Sequence, residues 1–141
     1  MDARLESLSL IADFISRSMS QLGIKAGVFE VQTAVDEACT NIMKYAYSEA
    51  GGVITITCEM QGTDLVVTIR DMGKPFDPAS VPQPDLEADL DRRKIGGLGI
   101  YLMRKLMDDV SYSFDAVKGN TLVMRKSISG KRDIHSWNAL A

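Results

Sequence analysis

Glu37 and Asn41 stand four residues apart in the run Asp36-Glu37-Ala38-Cys39-Thr40-Asn41. On a helix that spacing puts them about 40° apart around the axis and about 6 Å along it, so they share a face, with Lys44 on the same side. A carboxylate there can take a proton from an attacking hydroxyl. A neutral amide oxygen can ligate a hard cation such as Mg²⁺ without adding charge. In Asp71-Met72-Gly73-Lys74-Pro75-Phe76-Asp77-Pro78 a second carboxylate closes an apolar run, placed to accept a hydrogen bond from a ring amine. Gly73 lets the chain turn and leaves room for a flat ring, and Pro75-Phe76 stiffens the exit. Gly96-Gly97-Leu98-Gly99 opens a helix with bare backbone N–H groups, which is a phosphate cradle by mechanism. No Gly-Lys-Ser/Thr follows and no strand directly precedes, which excludes a Walker loop and a dinucleotide fold. Each group alone is ordinary on a helix flank or a turn. The ordered set supplies base, metal ligand, ring acceptor and phosphate cradle once each.

The elements that must carry these groups are legible from periodicity. Leu8, Ile11, Ala12, Ile15, Met19 and Leu22 form a helical stripe over 5–22, and Gly23 caps it. A second helix is expected over 28–48, with Val31, Val35, Ala38, Ile42 and Ala46 facing the core and Glu37, Asn41 and Lys44 at its solvent boundary. Residues 53–60 and 65–71 alternate as strands around the turn Gln61-Gly62-Thr63-Asp64, a hairpin signature. A proline-interrupted, charged stretch over 77–94 has the length of a lid or binding loop. A third helix is expected over 99–107, then a second hairpin of 110–114 and 121–126 turning at Lys118-Gly119-Asn120. Helix, helix, hairpin, loop, helix, hairpin predicts an α+β two-layer sandwich: a mixed, mainly antiparallel sheet with helices on one face.

With 141 residues the chain fits one domain, expected over 1–128, followed by a polar tail over 129–141. The net charge of −3 leaves no basic footprint, which argues against nucleic acid as the main partner. No apolar run approaches the roughly 20 residues that span a bilayer, and the first residues lack the order of a secretory signal. Cys39 and Cys58 sit inside apolar patterns without metal spacing, as small hydrophobes of a reducing cytoplasm do.

These residues resemble the GHKL ATPase superfamily with its Bergerat nucleotide-binding fold, and more closely the anti-sigma factor serine/threonine-protein kinases. The resemblance rests on Asp36 through Asn41, Asp71 through Pro78 and Gly96 through Val110, and it covers about residues 5 to 128. It implies ATP and Mg²⁺ as cofactors, Asn41 holding the metal, Glu37 as catalytic base and Asp71 binding the adenine amine. Gly73 would line the adenine pocket, Gly97, Leu98 and Gly99 would contact phosphate, and Thr121 would support the adenine end. Tyr45 stands where that subfamily usually has histidine. Lys44-Tyr45 is similar to the sensor histidine kinases, where the lysine approaches phosphate. Such an enzyme needs a phosphoacceptor histidine on a preceding helix, and the one histidine here, His135, follows the site. By resemblance the partners are a sigma factor-like regulator and a small anti-anti-sigma-like phosphoacceptor, with a homodimer left open. The expected function is an ATP-dependent serine/threonine kinase that regulates a protein partner. The alternative is a binding module whose affinity ATP or ADP switches without phosphotransfer.

Overall fold

The computed structural model describes residues 7–47, 52–75 and 97–128. In chain order the elements are α1 (Leu8–Gln21), α2 (Val28–Asn41), β1 (Ile54–Gln61), β2 (Asp64–Asp71), α3 (Gly97–Leu106), β3 (Asp109–Asp115) and β4 (Gly119–Ser127). The four strands form one sheet in the order β1-β2-β4-β3, and every described pairing is antiparallel. The expected lid at 77–94, like Phe76, Gly96 and the tail, lies outside the described residues.

Two sequence devices shape the helical layer. Gly23, at φ +78, ends α1: its N–H donates to the Ser20 carbonyl and that of Ile24 to the Met19 carbonyl, the paired bonds of a glycine-terminated helix. Beyond Asn41 the second helix widens into one π-helical turn, Ile42–Ala46, with Tyr47 N–H donating to the Ile42 carbonyl at 3.1 Å. A uniform α-helix over 28–48 is therefore corrected to an α-helix with a π-turn at its end, a feature that often marks functional sites.

The strand register explains the core. Alternate strand residues share a face, so Ile56–Ile69–Leu122–Tyr112 and Cys58–Val67–Met124–Val110 form rows across the sheet. They pack with Ile11, Ile15 and Met19 of α1, Val31, Val35 and Ala38 of α2, and Ile100 and Met103 of α3. The opposite sheet face is largely polar. The first hairpin turns through Gly62 and Thr63, with Gln61 paired to Asp64 as the sequence predicts. The second does not turn at Lys118-Gly119-Asn120. The Asp115 carboxylate instead accepts the N–H groups of Val117 and Lys118, both at 2.8 Å, and β4 already begins at Gly119. An aspartate that closes a turn on its own backbone competes well with a Gly-Asn signal. Among the described residues no helix is long and apolar enough to cross a membrane.

Candidate functional site

The end row of the sheet, on the helix-facing side, reads Ile54–Asp71–Asn120–Phe114. Asp71 and Asn120 are both buried, so each needs hydrogen-bonding partners. Asn120 Nδ2 donates to Asp71 Oδ1 at 2.8 Å and to the Gly73 carbonyl at 3.1 Å. The Tyr112 hydroxyl donates to Asn120 Oδ1 at 2.7 Å. Gly73 N–H donates to the same Asp71 Oδ1 at 2.9 Å. Both bonds to the carboxylate fall on one oxygen, which fixes its plane and leaves Oδ2 outside this network.

Beside Asp71 opens a small cleft. Ala38, Asn41, Ile42 and Ala46 of the second helix form one wall; Asp71, Tyr112, Asn120 and Leu122 of the sheet form the other, with Met103 of α3 between them. The sequence places Asn41 at a core–solvent boundary, and the structure corrects this. Asn41 is only 6% exposed, because α3 packs along the flank of α2 that the apolar stripe leaves open. Its Nδ2 is buried without a hydrogen-bond partner.

Glu37 lies one turn before Asn41 and stays half-buried. A Cβ at Gly99 would sit 2.6 Å from Glu37 Oε2 and 3.7 Å from Asn41 Nδ2. Only glycine fits there without displacing the carboxylate, so the first and third polar groups of the sequence converge. Burial raises the Glu37 carboxyl above its ordinary value; neighbouring Asp36 pushes the same way and Lys44 pulls it down. Lys44 is itself exposed in the π-turn. Gly97 and Leu98 start α3, so their backbone N–H groups belong to a helix N-terminus.

Gly73 has a packing reason beside the one its sequence suggests. A Cβ there would collide with the Ala46 backbone, so the glycine lets the turn close against the end of the second helix. Pro75 is exposed just beyond that turn. Thr121 pairs with Arg70 and Ser113, and strand alternation turns it to the outer face, away from the cleft. The expectation that Thr121 supports the Asp71 end is corrected: its neighbour Asn120 makes those bonds. Tyr112 and Asn120 are the residues that sequence reasoning missed. The available signal was Asp115, whose turn moves Asn120 out of the loop and into β4.

This architecture, with polar groups on one helix beside a glycine-led helix start and against an antiparallel sheet, has relatives. The histidine kinase-like ATPase domain family matches residues 1–126. The chain belongs to that family. It is 34% identical over 125 residues to the serine-protein kinase RsbW of Listeria monocytogenes serovar 1/2a (strain ATCC BAA-679 / EGD-e), covering 82% of this chain and 78% of that protein. It is 29% identical over 144 residues to RsbW of Bacillus cereus (strain G9842), covering 99% and 89%. Among solved structures, the histidine kinase domain of the Erythrobacter litoralis EL346 blue-light activated histidine kinase superposes with a TM-score of 0.52 at 20% identity, over 88% of this chain. This chain spans 60% of that one, and the likeness concerns the fold alone. Among the described residues no group of three or more His, Cys, Asp or Glu is placed to hold a metal ion.

Proposed function

We propose that the chain is an ATP-dependent protein serine/threonine kinase that regulates a protein partner, of the kind that binds a sigma factor and phosphorylates a small anti-anti-sigma protein. The observation that carries this reading is that Asn41, which lines the cleft together with Asp71, also lies beside Gly99, whose missing Cβ leaves room for the Glu37 carboxylate. The serine-protein kinase name of the Listeria and Bacillus relatives supports serine as the acceptor.

Asp71, oriented through Oδ1, has a second carboxylate oxygen to accept the exocyclic amine of adenine. The backbone N–H groups of Gly97, Leu98 and Gly99 at the start of α3 favour phosphate. A nucleotide-borne Mg²⁺ would take the amide oxygen of Asn41 as its ligand, while the unpartnered Nδ2 of the same group is a donor suited to a phosphate oxygen beside the glycine cradle. When bound, Mg²⁺ would neutralise charge on the phosphates, its other ligands being phosphate and water oxygens. Glu37 receives the proton of the acceptor hydroxyl as its oxygen bonds to the γ-phosphorus and ADP leaves. Its raised pKa makes it a stronger base than an exposed glutamate. Lys44, exposed one turn on, is available to an approaching phosphate.

The test is to isolate what co-elutes with the protein with and without ATP, then follow labelled phosphate from ATP to that partner. Glu37→Gln keeps size and polarity but loses the base: ATP binding is retained while transfer falls by roughly 10²–10⁴-fold. A partner bound tightly by the wild type yet never labelled would favour the nucleotide-switched binder. Label on a histidine would favour a sensor-kinase chemistry.

A further inference from the structure

The three backbone N–H groups that follow Asp71 each have a partner, and two of the three partners come from the end of the second helix. Met72 N–H donates to the Tyr47 hydroxyl at 2.8 Å, Gly73 N–H to Asp71 Oδ1 at 2.9 Å, and Lys74 N–H to the Ala46 carbonyl at 2.6 Å. The Tyr47 hydroxyl donates in turn to the Val53 carbonyl at 2.7 Å, so one phenol ties the entry of β1 to the exit of β2. Its ring fills the space where a Cβ at Gly52 would lie. Tyr47 reaches this position because the π-turn ends at Ala46 and the chain continues extended, at φ −110 and ψ 148.

The bond between Gly73 N–H and Asp71 Oδ1 exists only while the 72–74 turn keeps its shape. We infer that Tyr47 is a positioning residue for base recognition: by holding Met72 it holds the turn, and through the turn it sets the plane of the Asp71 carboxylate. The inference rests on the proposed adenine-nucleotide site and adds a residue that touches neither base nor phosphate. It also explains the π-turn. One extra residue in the last helical turn swings Ala46 and Tyr47 onto the Asp71 corner, while Glu37 and Asn41 keep regular α-helical spacing.

Tyr47→Phe keeps the ring and removes the hydroxyl. We expect ATP binding to weaken about 3- to 10-fold, the usual range for one lost hydrogen bond, seen as a higher KM with kcat within about twofold. Amide exchange at Gly73 in nucleotide-free protein should quicken in the same variant. In an Asp71→Asn background the added effect of Tyr47→Phe should vanish, because both changes act through one carboxylate. Gly52→Ala, which pushes the ring off its seat, should reproduce the phenotype without touching Tyr47. Wild-type protein that binds no ATP would overturn the kinase reading and this inference with it. Wild type that binds while Tyr47→Phe binds equally well overturns the inference alone. A loss of the same size in the Asp71→Asn background also overturns it, since that describes a tyrosine that stabilises the fold without acting through Asp71.

Discussion

The two ends of the cleft are built on opposite terms. At the Asp71 end the recorded polar contacts close on one another: Asn120, Tyr112, Gly73 and Tyr47 bring β4, β3, the turn and the second helix to one carboxylate. At the Asn41 end an amide nitrogen is buried with no partner, and a half-buried carboxylate has its pKa raised by desolvation. A satisfied network is rigid and ready before any ligand arrives, whereas an unsatisfied one costs stability until something completes it. On the proposed reading, the contrast makes base recognition pre-organised, while at the Asn41 end a glycine in place of a side chain keeps room for the Glu37 carboxylate.

Short of removing the base itself, breaking that packing should produce the largest effect. Gly99→Ala puts a methyl group 2.6 Å from Glu37 Oε2, so either the carboxylate or the start of α3 must move. A displacement of about 1 Å at a catalytic group costs on the order of 10²-fold in rate. Single-turnover phosphoryl transfer should fall by about that factor. Adenine selectivity, decided at the other end, should be kept, and loss of ATP-over-GTP preference in this variant would erase the distinction between the two ends.

The complementary break is Asp71→Ala. It removes the buried acceptor and leaves Asn120 Nδ2 with fewer partners. Losing such an acceptor costs about 1–3 kcal/mol, so ATP binding should weaken by roughly one to two orders of magnitude, with ADP affected equally. Calorimetric titration with ATP, ADP and GTP checks this, and the wild type should prefer adenine. If ADP binding survives the substitution intact, Asp71 is not the acceptor for the base.

How much of this was legible in the sequence follows from the kind of force involved. The apolar stripes of α1 and α2 and the Gln61–Asp64 hairpin could be read directly, because burial and turn geometry are local and periodic. The convergence of Glu37, Asn41 and Gly99 was foreshadowed by residue type, but the burial of Asn41 was not, since it depends on α3 covering a flank from about sixty residues away in sequence. Asn120 was hidden by its own propensity. Next to Gly119 it reads as a turn residue, and only the Asp115 turn moves it into a strand. Gly73 was noticed for its freedom in a turn, but its close approach to the Ala46 backbone could not be read, because it joins segments far apart in sequence.

A smaller effect should separate cost from use at the Asn41 end. Asn41→Leu replaces a buried amide whose Nδ2 has no partner with an apolar group of similar size. Relief of an unsatisfied polar atom is worth about 1 kcal/mol, or about 3–5 °C in Tm for a domain of this size. The nucleotide-free variant should therefore melt higher than the wild type, yet lose the Mg²⁺-dependent part of its ATP affinity. A variant that melts lower would mean that the amide already has a structural use in the empty protein.

The smallest effect is electrostatic and should sharpen the contrast without breaking either end. Transfer needs the ionised form of Glu37, so the rate should fall as pH drops through its pKa. Burial, the dominant cause, places that fall above the range of an ordinary glutamate. Asp36 raises the pKa further by like charge, and Lys44 lowers it. Lys44→Met should therefore move the acidic limb of the pH–rate profile to higher pH, and Asp36→Asn should move it to lower pH. Because Lys44 is exposed, its influence should shrink as salt rises toward a Debye length of about 3 Å at 1 M, whereas the part due to burial should persist. Profiles of kcat in low and high salt for the wild type and both variants measure the two contributions separately. Displacements of the same sign in the two variants would remove Glu37 as the titrating base.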